Sequence, residues 1–348
     1  MFSKIRSLIF KVDPEKAHTL AIKSLKFNFV PNVFDENKND TIFQTKIFNK
    51  DLDNPIGMAA GFDKNAEVYN SLFKLGFGFV EVGTITPLKQ YGNPKPRVFR
   101  LVEDEALINR LGFNNHGAEI VKQRIKRNKK LGFLGINIGP NKDSSDRLND
   151  YLIGLKTFYN DADYITINIS SPNTENLRTF HEGDKLQDLL KSIMAERKNL
   201  KSNIPIAVKV SPDISEDQVN KISEILLEYQ IKAIIVSNTS EATRDKLSNI
   251  QRHQKGGLSG KPIEEKSNIL INEFYKLLKG KIKIIGVGGV DSGQSAYDKF
   301  IAGADFVQLY TGMVFNGPNI AGIIKKELKE LLIRDGVKNY TEIIGNKT

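Results

Sequence analysis

Within seven residues the chain carries Asn168, Ser170, Ser171, Asn173 and Thr174, a run of amides and hydroxyls leaving the strand-like stretch Ile165-Thr-Ile-Asn-Ile169. Ile165, Ile167 and Ile169 are β-branched, and Pro172 stops ladder pairing. A parallel strand buried on both faces should stay apolar. Amides and hydroxyls at its exit therefore point to a ligand that needs donors and acceptors. Ordinary turn chemistry, with Asx and Ser/Thr turns satisfying the backbone, is the competing reading. Lys209 is a sharper signal, an ammonium inside the apolar run Ala207-Val-Lys-Val210, where burial demands a negative partner. Gly286-Val-Gly-Gly289 and Tyr310-Thr-Gly312 are turns whose backbone N–H groups can approach a phosphate.

Composition narrows the chemistry. The 348 residues include no cysteine, which excludes disulfides, thiolate nucleophiles and cysteine-ligated metals. Four scattered histidines (His18, His116, His181, His253) lack metal-ligand spacing, so no metal is expected. The net charge of +10 calls for an anionic partner: nucleic acid, a phosphorylated ligand or an anionic membrane surface. No apolar run approaches the ~18 residues of a spanning helix. Lys11 cuts short the apolar stretch that a signal peptide would need, so the expected place is the cytoplasmic side.

The elements that must position these groups follow from hydrophobic pattern. Strand-like runs open near Ile56, Phe79, Phe133, Tyr164, Ile206, Ala233, Ile282 and Phe306, at separations of 23, 54, 31, 42, 27, 49 and 24 residues. Each interval has room for a crossover helix, and segments such as Leu186 to Leu200 and Gln218 to Tyr229 repeat at helical period. Eight such units predict an α/β fold, a (β/α)8 TIM barrel rather than an open doubly wound sheet. The intervals of 54, 49 and 42 residues predict insertions after the second, sixth and fourth strands.

The first forty residues form a separate unit. Phe2, Ile5, Leu8, Ile9 and Val12 predict a short amphipathic helix over 2–12. Asp13-Pro14-Glu15 opens a second helix to about Lys26, with Ala17, Leu20, Ala21, Ser24 and Leu25 on one face. Six Lys/Arg against two acids over residues 1–30 suit an interfacial membrane anchor, with a helical hairpin packed on the main domain as the alternative. Pro31 to Thr45 reads as a linker, which divides the chain into 1–40 and 41–348.

Polar residues cluster at the carboxyl ends of the expected strands, where a TIM barrel keeps its active site. Five motifs then carry a resemblance: Ala59-Ala-Gly-Phe-Asp-Lys64, Asn109-Arg-Leu-Gly-Phe-Asn-Asn115, Ile167-Asn-Ile-Ser-Ser-Pro-Asn173, Gly256-Gly-Leu-Ser-Gly-Lys-Pro262 and Gly286-Val-Gly-Gly289. Taken in order over nearly the whole chain, they resemble dihydroorotate dehydrogenase, and more narrowly its membrane-associated, quinone-using class 2. The resemblance implies an FMN enzyme that oxidises (S)-dihydroorotate to orotate in pyrimidine synthesis and passes electrons to a membrane quinone. It implies FMN contacts at Ala60, Gly61, Lys64, Thr84, Asn137, Asn168, Lys209, Ser237, Gly260, Gly289, Tyr310 and Thr311. Substrate contacts are implied at Lys64, Asn109, Arg110, Leu111, Gly112, Phe113, Asn168, Asn173, Asn238 and Thr239, with Ser171 at the catalytic-base position. Class 1 relatives use cysteine there. Ser237 and Lys261 depart from the expected threonine and arginine but keep a hydroxyl and a charge.

That chemistry makes demands the residues can meet. Removing a proton from C5 of dihydroorotate needs a base in hydrogen-bond reach. Serine is a weak base near neutral pH, so Ser171 needs high pH or a relay; Thr174 could order a water, and Phe113 could exclude solvent. Lys209 is expected beside the flavin N1–C2=O, where reduction builds negative charge. His18 and Arg100 fit the family's quinone site, and Thr174 to Asp184 is expected to act as a lid. The membrane-facing expectation places the protein on the cytoplasmic face of the cell (inner) membrane, in peripheral contact with lipid. A tRNA dihydrouridine synthase, another FMN barrel, would suit the positive charge but is expected to need a cysteine. The basic run Lys122 to Lys130 has no interleaved aromatic, so nucleic acid is not an expected partner.

Overall fold

The structure is a computed structural model that describes residues 2–27, 40–242, 244–278 and 280–346; residues 31–39 of the expected linker lie outside these. Two helices come first, α1 (Phe2–Ile9) and α2 (Pro14–Lys26). Asp13 caps α2, its carboxylate accepting the Lys16 N–H at 2.9 Å, and Pro14 fills a position whose N–H would be unpaired anyway. A hairpin of β1 (Thr45–Ile47) and β2 (Lys50–Leu52) leads to β3 (Ile56–Met58), α3 (Tyr69–Lys74) and β4 (Phe79–Ile85). Next come β5 (Val98–Leu101), β6 (Ala106–Asn109), α4 (Ala118–Arg127), β7 (Phe133–Ile138), α5 (Arg147–Phe158) and β8 (Tyr164–Asn168). The chain continues through α6 (Gly183–Asn199), β9 (Ile206–Val210), α7 (Glu216–Glu228), β10 (Ala233–Val236), β11 (Gly257–Gly260) and α8 (Glu264–Leu278). It ends with β12 (Lys283–Val287), α9 (Gly293–Ala302), β13 (Phe306–Leu309), α10 (Thr311–Asn316) and α11 (Ile320–Arg334).

Strands β3, β4, β7, β8, β9, β10, β12 and β13 close in that order into a parallel barrel, the eight strands that the sequence pattern predicts. Inward residues alternate along each strand, so the interior is built in layers. At the amino-terminal end Phe79, Phe133, Tyr164 and Phe306 fill the barrel, plugged from below by Ile47 and Leu52 of the hairpin. Phe133 stacks on Tyr164 at 5.7 Å. Gly135 makes room for that layer, since a Cβ there would fall 2.1 Å from Tyr164 Cζ. Two residues beyond Phe79, Tyr164, Ala207 and Phe306 stand Glu81, Thr166, Lys209 and Gln308, all buried. The change from aromatic to polar is the first sign of a site above.

The insertions after β4 and β10 are one structure. β5, β6 and β11 form an antiparallel sheet, with Asn109 opposite Gly257. After β8 there is no comparable insertion; the extra length is a 3-10 turn, Leu177–His181, and the 17-residue α6.

The N-terminal helices depart from expectation in two respects. α1 ends at Ile9 rather than residue 12, and the barrel-facing residues of α2 are Ile22 and Leu25, with His18 half-buried beside them. Ile5, Leu8 and Leu20 point outward and are exposed, as are Ala21 and Ser24. The apolar residues of this pair exceed one helical stripe, so only some can be covered by the barrel. Glu15 ties α2 down through a two-pronged ion pair with buried Arg97, at 2.6 and 3.1 Å. The basic run after Lys122 covers the outer face and end of α4, around buried Val121 and Ile125.

Candidate active site

The carboxyl ends of the barrel strands open into a cavity. The β3 exit contributes Ala60, Gly61 and Lys64, β4 contributes Thr84, and the segment from the end of β6 contributes Asn109, Leu111, Gly112 and Phe113. Asn168, Ser171 and Asn173 come from β8 and its exit, Lys209 from β9, and Ser237, Asn238 and Thr239 from the loop after β10. Gly260 of β11, Gly289 after β12 and Tyr310 and Thr311 after β13 complete the wall. Two expected residues are not in it. The Arg110 guanidinium turns away, donating to Gln254 Oε1 and the Lys255 carbonyl at 3.1 Å and lying 4.5 Å over the Phe99 ring. Alternation explains this: with Asn109 and Leu111 facing the cavity, the residue between them faces the other side. Asn137 sits one layer below the cavity floor.

There it joins a chain of hydrogen bonds running up the barrel. Asn137 Nδ2 donates to Glu81 Oε1 at 2.8 Å, and its Oδ1 accepts from Thr84 Oγ1 at 2.6 Å and Asn168 Nδ2 at 3.2 Å. Asn168 Oδ1 accepts from Ser170 Oγ at 2.9 Å, and Ser170 Oγ accepts from Asn238 Nδ2 at 2.9 Å. Glu81 also accepts from Tyr164 and Thr166, at 2.8 and 3.0 Å, and from Gln308 at 3.3 Å. A buried carboxylate is tolerated when its lone pairs are filled in this way. Glu81 has no part in the sequence expectations, although a carboxylate inside Phe79-Val-Glu-Val82 is the same kind of signal as Lys209.

Lys209 differs from the groups around it. The residue is buried, its ammonium lines the cavity floor, and it finds no hydrogen-bond acceptor among the described residues. Burial lowers its pKa, and the charge of Glu81 opposes that fall. Lys64 is better placed, donating to the Gly61 carbonyl at 2.6 Å; burial brings its pKa to about 8.

Ser171 is buried, and its Oγ accepts the Asn173 N–H at 3.2 Å. Asn173 Nδ2 reaches Asn109 Oδ1 at 3.3 Å, so the β8 exit and the sheet over the barrel share one polar surface. Thr174 Oγ1 is buried without a hydrogen-bond partner among the described residues. The segment Thr174 to Asp184 is tied to this region through Arg178. Arg178 donates to the carbonyls of Ser170 and Thr239 at 3.2 and 2.9 Å and to Asp213 and Glu241 at 3.2 and 3.1 Å.

At the opposite wall two turns meet. Gly288 and Gly289 have φ of +122° and +79°, which suits glycine, and a Cβ on Gly312 would fall 2.4 Å from the Val290 carbonyl. Ser259 and Thr311 hydroxyls face each other at 2.8 Å beside them. A second cavity lies under α2 and shares Lys64, Leu111 and Tyr310 with the first. His18 lines it, edge-on to Phe62 at 5.2 Å; burial, aided by the Lys64 charge, depresses its pKa to about 3, so the imidazole is neutral. Arg100 does not line this cavity. It packs 4.2 Å over the Phe10 ring and donates to the Phe10 carbonyl at 3.0 Å.

A closed parallel barrel with an amide- and hydroxyl-lined cavity at its carboxyl end defines a (β/α)8-barrel enzyme. The family model "Dihydroorotate dehydrogenase" matches residues 42–332. Dihydroorotate dehydrogenase (quinone) of Bartonella tribocorum is 48% identical over 97% of this chain and 94% of that protein, and the Agrobacterium fabrum protein of the same name is 43% identical over 99% and 95%. Among solved structures, ligand-free DHODH of Eimeria tenella superposes with a TM-score of 0.92 at 37% identity, covering 96% of this chain and 99% of that one. The same enzyme in complex with ferulenol also gives 0.92, at 36% identity, covering 96% and 95%. The chain belongs to the dihydroorotate dehydrogenase family, in its quinone-dependent class 2.

Proposed function

We propose that this chain oxidises (S)-dihydroorotate to orotate for pyrimidine synthesis, with FMN as bound redox cofactor and a membrane quinone as electron acceptor. The carrying observation is Lys209, a buried lysine whose ammonium lines the cavity floor without an acceptor among the described residues. Such a charge suits a ligand that becomes more negative as it is reduced. The glycine turn at Gly288–Gly289 and the adjoining start of α10 suit a phosphate, and the Ser259–Thr311 hydroxyls suit a polyol chain. FMN, when bound, would supply the hydride and electron chemistry.

The chain's own residues supply the rest. Ser171 is proposed as the base for C5; the N–H that Asn173 donates to its Oγ favours the deprotonated oxygen. The partnerless Thr174 hydroxyl is free to order a water beside it. Asn109, Asn173, Asn168 and Asn238 present the donors and acceptors that imide and carboxylate edges need. Phe113 and the Arg178-held segment exclude water.

Residues 1–40 are proposed as the quinone-access extension and 41–348 as the catalytic barrel. No helix of the described residues is long and apolar enough to cross a membrane. Exposed Ile5, Leu8 and Leu20, flanked by Lys4, Lys16 and Lys23, suit shallow peripheral contact with anionic lipid on the cytoplasmic face of the inner membrane. The test is anaerobic stopped flow. Dihydroorotate should bleach the bound flavin, and added quinone should restore its absorbance; a yellow protein indifferent to dihydroorotate would overturn the reading.

A further inference from the structure

Lys299 of α9 is fully buried, yet the proposed catalytic groups do not touch it. Its ammonium donates to Ser267 Oγ at 3.1 Å and Asn268 Oδ1 at 2.8 Å, both on α8. No carboxylate of the described residues lies within 4 Å of it; Glu264 of α8 and Asp298 of its own helix are the acids that act on it from further away. A buried cation held only by neutral groups is costly to the protein alone. Burial brings its pKa down to about 7.

Its position suggests what it balances. Ser267, which accepts from Lys299, donates in turn to the Val287 carbonyl at 2.8 Å, inside the Gly286–Gly289 turn. A Cβ on Gly286 would come within 3.2 Å of the Lys299 side chain, and one on Gly288 within 3.2 Å of Ser267. Lys299 thus stands directly behind the backbone that faces the cavity. The same end of the cavity carries negative charge: Asp291 lines it, and Glu264 packs on Gly289. Lys261, at its edge, is exposed and paired with Glu105 at 3.0 Å. A phosphate dianion seated on this turn would meet repulsion from the two acids, and the cation at its edge among the described residues, Lys261, is already paired.

Building on the FMN reading, we propose that Lys299 is the buried counter-charge of the phosphate site, acting through Ser267 and the glycine turn rather than by contact. It positions the turn and offsets the phosphate charge from behind.

The test compares FMN with riboflavin, which lacks the phosphate, on flavin-depleted protein of the wild type and of Lys299→Met. Loss of one charge across a single backbone layer should weaken FMN by about tenfold and leave riboflavin unchanged. Flavin-free Lys299→Met should melt at or above the wild-type temperature, because an uncompensated buried charge has gone. An unchanged preference for FMN over riboflavin would overturn the inference. So would equal losses for both ligands together with a lower melting temperature, which would mark Lys299 as structural. Lys299→Gln carries the same comparison if the methionine variant does not fold, and failure of both to fold counts against the proposal. A wild-type protein that does not prefer FMN would instead overturn the cofactor reading, and this inference with it.

Discussion

Replacing Glu81 by Gln should be among the most damaging single changes available inside this barrel. The carboxylate accepts from Asn137, Tyr164, Thr166 and Gln308 and is the acid whose charge opposes the desolvation of Lys209. Hydrogen bonds to a buried charge contribute about 1.5–3 kcal/mol each, but four in one network do not add. The expected loss is therefore that of one or two such bonds, about 3 kcal/mol. The amide keeps the shape while turning an N–H₂ toward donors, so the damage is electrostatic. The cost should also depend on pH. Burial already lowers the Lys209 pKa in the folded protein, and without Glu81 it falls further. The unfolded chain then binds more protons than the folded one between that lowered pKa and the ordinary lysine value of about 10.4, so stability rises with pH there. The deficit of Glu81→Gln should therefore shrink from pH 7 toward pH 10. Denaturant midpoints of the ligand-free protein, measured across that range, provide the assay. Adding Lys209→Met should restore part of the loss, since it removes the charge left unpaired. A deficit below about 0.5 kcal/mol, or one that neither pH nor Lys209→Met alters, would refute the account.

Other outcomes follow from the same geometry. Ser171→Ala should retain FMN and substrate but reduce flavin about 10²–10⁴-fold more slowly in stopped flow, and a wild-type rate would remove Ser171 as the base. Arg178→Met releases the segment over Ser170 and Thr239, so KM for dihydroorotate should rise well before kcat changes; unchanged KM would mean that the latch is incidental. A chain beginning near Thr41 should still be reduced by dihydroorotate yet lose liposome binding and reoxidation by long-tailed quinone. Equal reoxidation rates would leave α1 and α2 as a packing cap.

Much of this protein is written in local pattern. The eight barrel strands are apolar β-branched runs, and their spacing leaves room for crossover helices, so their existence and closure follow from periodicity. Most candidate site residues are legible too, because polar groups at the ends of greasy strands conflict with burial unless something binds there. Side-chain direction is less legible. Asn109 and Arg110 are adjacent in a motif, and only the register of β6 against β11 sends one into the cavity and the other onto Phe99. Likewise α2 carries more apolar residues than one face can hold, and the barrel surface selects Ile22 and Leu25 over Leu20. The antiparallel sheet joining the insertions after β4 and β10 pairs strands some 150 residues apart, a contact no local window contains. Glu81 and Lys299 show the same limit most clearly. Glu81 is one charge in an apolar run and Lys299 follows Asp298 on a helix, and only the closed barrel brings Lys209 near the first and the glycine turn against the second.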